Sequence, residues 1–439
     1  MSTLRRAIGL PAATALVVGT IIGSAIFVQA SEITALVPSP LAVVLAWATA
    51  GVLTLIGALV CAELASAYPR TGGVYVFLKE IYTPVLGFLW GWAMFWTMHS
   101  GILAAIGTVF ARYAGYFVPL GDTGTRFVAI GAILALSAIN YLGVRFGSGV
   151  QSAFTLVKVT AVVAIIGIGW VVSDAAVVAT PGPAAAIGAG NFLLAVGAGL
   201  FAFGGWHMVT YTAEETVNPT RTIPRSLLIG VVVVTLCYIG LNAVYLRVLP
   251  IDKVIASSRV AADTFDVLMG SGGASVISGL VMFSAFGALN GIVLSGPRVY
   301  YQMSQDGLWF KWAGHLHPVY QTPGRAIVLQ AVWSSVLVLT GTYRALFTRV
   351  IYTEWIFFAL LALGVVLMRR RPGYQPAWRM PMVPFAPILF VLASAAVVFN
   401  QIRADLTNSV IGLLIVASGL PAYYLWGRRG AAPKAPEAP

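Results

Sequence analysis

Charge is scarce in this chain. Asp, Glu, Lys and Arg make up 9% of its 439 residues, against about 25% in a soluble globular domain. With 59% apolar residues and a mean hydropathy of +0.89, the deficit excludes a water-soluble fold. Period-two alternation in short segments is missing, which argues against a transmembrane β-barrel. What remains is an all-α polytopic membrane protein. Cysteine is nearly absent too. Cys61 and Cys237 lie in apolar runs, so no disulfide framework and no zinc spacing is available. There is no HExxH, no GxSxG and no Walker loop, and so no sign of a hydrolase or an ATP-driven pump. No cofactor is expected. No cleavable signal is visible, because the first apolar run is long and glycine-rich and lacks a small-residue cleavage site.

The net charge of +12 invites a nucleic-acid reading, which its distribution rejects. Spans of about 20 apolar residues fall near 8–36, 41–66, 83–112, 126–142, 150–173, 190–214, 225–248, 271–303, 325–342, 346–368, 383–400 and 406–426. With a cytoplasmic N-terminus, these twelve spans put seventeen of the 26 basic residues on the inner side and eight outside. That asymmetry places both termini in the cytoplasm. Turn residues mark the loops at 39–40, 69–73 and 218–219. The segment 428–439 reads as a Pro/Ala-rich tail, and no soluble domain is present.

The remaining basic residue is Lys158, inside Phe154 to Val172, a stretch otherwise free of charge. A cation at bilayer depth costs about 2.5–3.5 kcal/mol on insertion scales, so it faces a partner or a watery cavity. The alternative is a lysine that snorkels to the nearer interface. Two spans are interrupted by glycine: the first at Gly19 to Phe27 (GTIIGSAIF) and the sixth at Phe201 to His207 (FAFGGWH). Unwound backbone frees N–H and C=O groups that lipid cannot satisfy, so it must line a cavity. Breaks at matching places in two halves of opposite topology point to a transport site at the midplane. Glycine also serves helix packing, and one GxxxG alone would favour that. Two breaks plus a buried lysine favour a site.

These residues resemble a known family. GTIIGSAIF, Ala62 to Leu78, Gly199 to Ser226, Phe283 to Gly291 and Arg298 to Gly307 are similar to motifs of the amino acid–polyamine–organocation superfamily, most closely its L-type amino-acid transporter branch. The resemblance covers about residues 8 to 427. It implies a five-plus-five inverted repeat (8–173 and 190–368) followed by two further helices (383–427). It implies an L-amino acid held by both α-groups, with the carboxylate on backbone N–H groups near Gly23, Ser24 and Ala25. The ammonium would lie on carbonyls near Ile21 and Phe201, with Phe203 and Gly204 beside it. The family usually has glycine at the position of Ala25, whose Cβ narrows the cradle. Lys158 aligns with the fifth-helix lysine of sodium-independent members. There it implies an ammonium in place of sodium, on the Gly19 carbonyl and the Ser284 hydroxyl.

Other candidates carry two readings each. Phe201 is an aromatic gate over the substrate or plain packing, and Trp206 reads as a packing anchor. His207 shapes the side-chain pocket, titrates, or is a hydrogen-bonded structural histidine, and His99 is a weaker candidate of the same kind. Glu354 lines the outer pocket or sits at the interface. Glu214 and Glu215, near Arg221 and Arg225, read as an ion-paired gate or loop anchor rather than a catalytic acid and base.

The expectation is a sodium-independent secondary transporter of a broad range of neutral L-amino acids, with cationic ones left open by Glu354, working as an exchanger in a bacterial plasma membrane. The alternatives are proton symport, and a receptor or channel with the same fold. No nucleic acid and no disulfide-linked heavy subunit are expected, the latter because no cysteine lies between the third and fourth spans.

Overall fold

The computed structural model describes residues 4–23, 25–172, 187–257, 259–270 and 272–430. Among these the structure is helical, and the one extended contact is a parallel bridge between Ile8 and Thr216. The first run is split into α1 (Leu10–Ile21) and α2 (Ala25–Leu36). Then come α3 (Pro40–Ala67), a short α4 (Val74–Ile81), and α5 (Pro84–Ala93), which passes through a π-turn at Met94–Met98 into α6 (His99–Ala114). The next two are α7 (Asp122–Tyr141) and α8 (Val144–Val172). The sixth run is α9 (Ala189–Ala202) followed by a 3-10 stretch, Trp206–Glu215. After it run α10 (Pro219–Val248), short α11 (Ile251–Ala256) and α12 (Val260–Met269), and α13 (Gly273–Gln305). The chain closes with α14 (Gly324–Thr340), α15 (Tyr343–Met368), α16 (Phe385–Ala404), α17 (Leu406–Ala417) and α18 (Gly419–Gly430).

Local chemistry sets these boundaries. Proline opens α1, α3, α5 and α10, where its missing N–H costs no intrahelical bond. Thr83 and Asp405 cap α5 and α17 by accepting from the N–H groups of Leu86 and Asn408. Gly341, at φ +70°, stops α14. Several helices depart from the sequence reading. Asp122 begins α7, because a carboxylate suits a helix N-terminus, so GDTGT is mostly first turn rather than loop. The fifth helix starts at Val144 rather than near 150, and α18 runs to Gly430, into the segment read as tail. The short α4, α11 and α12 lie in stretches read as loops, being too short to show as spans.

Ten helices or joined helices among the described residues are long and apolar enough to cross a bilayer, and Leu10–Ile21 and Gly324–Thr340 are shorter apolar helices. The protein is therefore a polytopic all-helical membrane protein. Small residues let its helices close up. Cβ atoms at Gly51 and Gly199 would run into Thr235 and Ala50, which brings α10 and α9 against α3. α1 packs on α8, α10 and α13, while α2 packs on α9, α11 and α12. The two halves of the first helix thus belong to different surroundings, and the break between them sits at the centre of the bundle.

The face that bears the N-terminus is stitched shut. Ala7 and Ile8 donate to the Glu215 carbonyl at 2.9 and 3.0 Å, and Val217 donates to Ile8. Glu215 pairs bidentately with Arg298, both contacts 2.8 Å and both side chains fully buried. Lys79 and Tyr75 both reach Asp306 at 2.7 Å. Glu63, fully buried at the end of α3, accepts from Arg369 at 3.0 and 2.6 Å and from the Met380 N–H at 2.7 Å. It thereby holds the loop after α15. Tyr374 of that loop lies 3.4 Å from the same carboxylate, and burial together with that charge pushes its phenol up.

Candidate functional site

Lys158 is wholly buried, and its ammonium enters the first break. It donates to the Gly19 carbonyl at 2.9 Å and the Ile22 carbonyl at 2.6 Å, and lies 3.4 Å from the Ser284 carbonyl. The lysine does not snorkel. The geometry differs from expectation in one partner: the Ser284 hydroxyl does not meet the ammonium. It donates instead toward the carbonyls of Ile22 and Gly23, 3.3 Å from each. The break frees the Ile22 carbonyl, and the ammonium and the hydroxyl both donate to it rather than one to the other. Ile22, absent from the sequence reading of this contact, is the shared acceptor.

The two breaks are tied to each other. The Thr20 hydroxyl lies 3.2 Å from the Gly205 carbonyl while donating within its own helix at 2.7 Å. Gly205 has φ +96°, a conformation that L side chains rarely adopt, and a Cβ there would lie 3.2 Å from Thr20. Tyr238 of α10 makes the second tie. Its buried hydroxyl lies 3.0 Å from the Ile21 carbonyl and 3.1 Å from the Ala202 carbonyl, the last residues of α1 and α9. Its ring is held edge-on by Trp47 at 5.2 Å and, tilted, by Phe203 at 5.0 Å. Thus Phe203, read as lining the site, is buried packing behind it.

The cradle itself is small. The Gly23 N–H donates to the Ile21 carbonyl at 2.8 Å, and a Cβ on Gly23 would stand 3.5 Å from Ala288. The Phe201 carbonyl accepts from the Gly204 N–H at 3.0 Å. Gly204 is exposed and Ala25 and Phe201 are partly so, whereas Gly205 through Ala213 are buried. Ser24 falls outside the described residues.

His207 follows the second break inside an aromatic box. The rings of Trp90, Trp206, Tyr211 and Phe358 stand 5.6, 5.4, 5.5 and 5.0 Å away. Both of its ring nitrogens lack a hydrogen-bond partner among the described residues, so the hydrogen-bonded structural reading does not describe it. Trp206 serves as a packing anchor, touching Phe358 and closing over Gly57. His99 contacts the Tyr300 hydroxyl through Nδ1 at 2.9 Å and lies beside Tyr211, the ring it shares with His207. Glu354 lies within α15, is 7% exposed, and falls in the first turn of the apolar span Ile351–Met368. It stands one turn before Phe358, on the face that meets the His207 box. Glu214 and Glu215 do not engage Arg221 or Arg225 as read. Glu215 takes Arg298, and Glu214 accepts from the Thr71 N–H at 3.2 Å. Among the described residues no cluster of His, Cys, Asp and Glu could hold a metal ion.

A family profile described as amino acid permease matches residues 8–420. The chain belongs to the amino acid permease family. This permease is 32% identical to the serine/threonine exchanger SteT of Bacillus subtilis (strain 168), over 98% of both chains. It is 30% identical to the b(0,+)-type amino acid transporter 1 of Homo sapiens, covering 97% of this permease and 88% of that protein. It is 28% identical to the large neutral amino acids transporter small subunit 2 of Rattus norvegicus, covering 96% and 81% respectively. These relatives are transporters, and the permease is not an enzyme.

Proposed function

We infer that this permease is a sodium-independent L-amino-acid exchanger working by alternating access. The observation that carries the reading is the Lys158 ammonium seated on the Gly19 and Ile22 carbonyls. A fixed cation there does what a bound metal ion would do, neutralising the oxygens that the break exposes, so no sodium is required. Relatives named as exchangers and amino-acid transporters support the same conclusion.

The substrate is a zwitterion read by backbone. In this structure the Gly23 N–H is spent on the Ile21 carbonyl. An amino acid bridges that pair: its carboxylate takes the N–H groups of Gly23 and Ala25, with Ser24 between them, and its ammonium takes the Ile21 carbonyl and the Phe201 side of the second break. Helix N-termini favour the anion and freed carbonyls the cation. One internal hydrogen bond is exchanged for two charge-assisted ones, which are about twice as strong as neutral bonds. Phe201 closes over the ligand beside Gly204, and the side chain points toward His207 and Glu354. Aromatic rings dominate that region, which favours neutral side chains.

The reading also has twelve spans, formed as two five-helix inverted halves (8–173 and 190–368) plus the pair at 383–427. Both termini are cytoplasmic, in the inner membrane of a bacterium. The stitched face is then the cytoplasmic one, and the structure is outward-facing. Cys61 and Cys237, the chain's two cysteines, are both buried, so no disulfide-linked subunit attaches.

The test is uptake by purified protein in liposomes against all twenty amino acids, with competitors lacking either α-group. Inhibition by such competitors as strong as that by the intact amino acid refutes the backbone reading. Uphill accumulation driven by a pH gradient, without internal amino acid and lost in Glu354→Gln, replaces exchange by proton symport.

A further inference from the structure

α8 grips α1 at more points than Lys158. Gln151, Thr155 and Lys158 share one face of α8, spaced four and three residues apart. Gln151 and Thr155 meet the Ala15 carbonyl in the middle of α1, and Lys158 meets those of Gly19 and of Ile22, just past its end. The Thr155 hydroxyl donates to Ala15 at 2.9 Å, and Gln151 Nε2 lies 3.5 Å from the same oxygen. The fit admits no slack. A methyl on Gly19 would overlap the Gln151 amide nitrogen and the Thr155 hydroxyl, and one on Gly291 of α13 would stand 3.3 Å from Gln151 Nε2.

Gln151 is itself held from behind. Its Oε1 accepts from Asn290 Nδ2 at 3.0 Å, and that nitrogen also donates to the Gly147 carbonyl at 3.0 Å. Asn290 Oδ1 accepts in turn from Asn140 Nδ2 at 2.8 Å, which also donates to Leu136 at 2.9 Å. All three amides are fully buried. Their donors run one way, from α7 through α13 and α8 to α1, so each amide fixes the orientation of the next. Apolar side chains would pack these helices at least as well. A chain of amides adds what they cannot, a directional attachment that either forms or breaks.

We propose that Gln151, backed by Asn290 and Asn140, is a positioning residue that fastens the inner half of the first helix and sets how readily the cytoplasmic face opens. The proposal rests on the alternating-exchange reading. Release to the cytoplasm requires α1 to leave α8 and the 3-10 stretch Trp206–Glu215. Lys158 holds the break end of α1 by charge, whereas neutral donors hold its middle, nearer the N-terminus. The helix therefore peels from Ala15 toward Lys158, and Gln151 guards the first step.

The experiment uses the full-length protein in nanodiscs with a reporter, Ala13→Cys, at a fully buried position of α1. A hydrophilic maleimide is added, and labelling of each cysteine is followed by mass spectrometry. In Gln151→Met the reporter should label about fivefold faster, the effect of losing about 1 kcal/mol, the net value of one buried hydrogen bond. Asn290→Ala, which leaves α1 untouched, should give a smaller rise. The native Cys61 and Cys237, both buried and carried by α3 and α10 rather than α1, should label at unchanged slow rates. Unchanged labelling at position 13 overturns the proposal. So does equal acceleration at all three cysteines, which would mean general loosening. If Gln151→Met fails to fold, Asn290→Ala is judged by the same two criteria. Exchange by the parent protein is measured separately, and its absence would refute the exchange reading without altering what the labelling says about Gln151.

Discussion

Replacing Lys158 by methionine keeps the side-chain length and removes the charge. Two short hydrogen bonds are lost, at 2.6 and 2.9 Å. Hydrogen bonds from a charged donor contribute about 1.5–3 kcal/mol each, so about 3–6 kcal/mol of gross attraction disappears. Against this, the desolvation penalty of the buried ammonium, several kcal/mol, disappears too. The two largely cancel in global stability, and the melting temperature in detergent should move by only a few degrees. They do not cancel locally, because among the described residues the methionine leaves the Gly19 carbonyl with no side-chain donor and the Ile22 carbonyl with only the Ser284 hydroxyl at 3.3 Å. A loss of about 2 kcal/mol in the preference for the competent break geometry is about a thirtyfold fall in its occupancy. Exchange of radiolabelled amino acid in proteoliposomes should drop by that order, with the protein still folded and monodisperse. Retention of half the parent rate would refute the argument, and so would a collapse of folding in proportion to the loss of activity.

Gly205→Ala forces a Cβ onto φ +96° and toward Thr20, and should lower stability by about 1–3 kcal/mol and abolish exchange, read by thermal unfolding and by flux. Glu215→Gln leaves Arg298 buried without its counter-charge, a loss of about 3–5 kcal/mol in the closed form; the N-terminal segment should become protease-sensitive, and full protection would count against a latch. Tyr238→Phe deletes the tie between the Ile21 and Ala202 carbonyls and should change the apparent KM severalfold with the fold intact, whereas an unchanged KM would mean the hydroxyl is only packing.

The outline of the site was legible because its signals are local. Glycines at 23, 204 and 205 interrupt runs that would otherwise be continuous helix, and a lone lysine in an apolar run needs a partner. The partners themselves were less legible. Glu215 stands within a dozen residues of Arg221 and Arg225, yet it pairs with Arg298, 83 residues away in sequence, because α13 brings that guanidinium under the 3-10 stretch. Glu63 accepts from the Met380 N–H across 317 residues, and nothing around Glu63 in sequence names that loop. Tyr238, Asn140, Gln151 and Asn290 read in sequence as ordinary members of apolar spans. The signal that could have found them is the one used for Lys158: an isolated polar group in a span is costly unless satisfied. The Ser284 contact falls on the expected residue through its carbonyl rather than its hydroxyl, since sequence does not say which oxygen a break turns inward.

The central claim is exchange without sodium, and counterflow in proteoliposomes tests it most directly. Purified protein is reconstituted with or without internal amino acid, and labelled uptake is followed with external sodium or with choline in its place. The account predicts rapid uptake only when internal amino acid is present, at rates equal within error in sodium and choline. Uptake that requires sodium, or that proceeds equally well into empty liposomes, would contradict it.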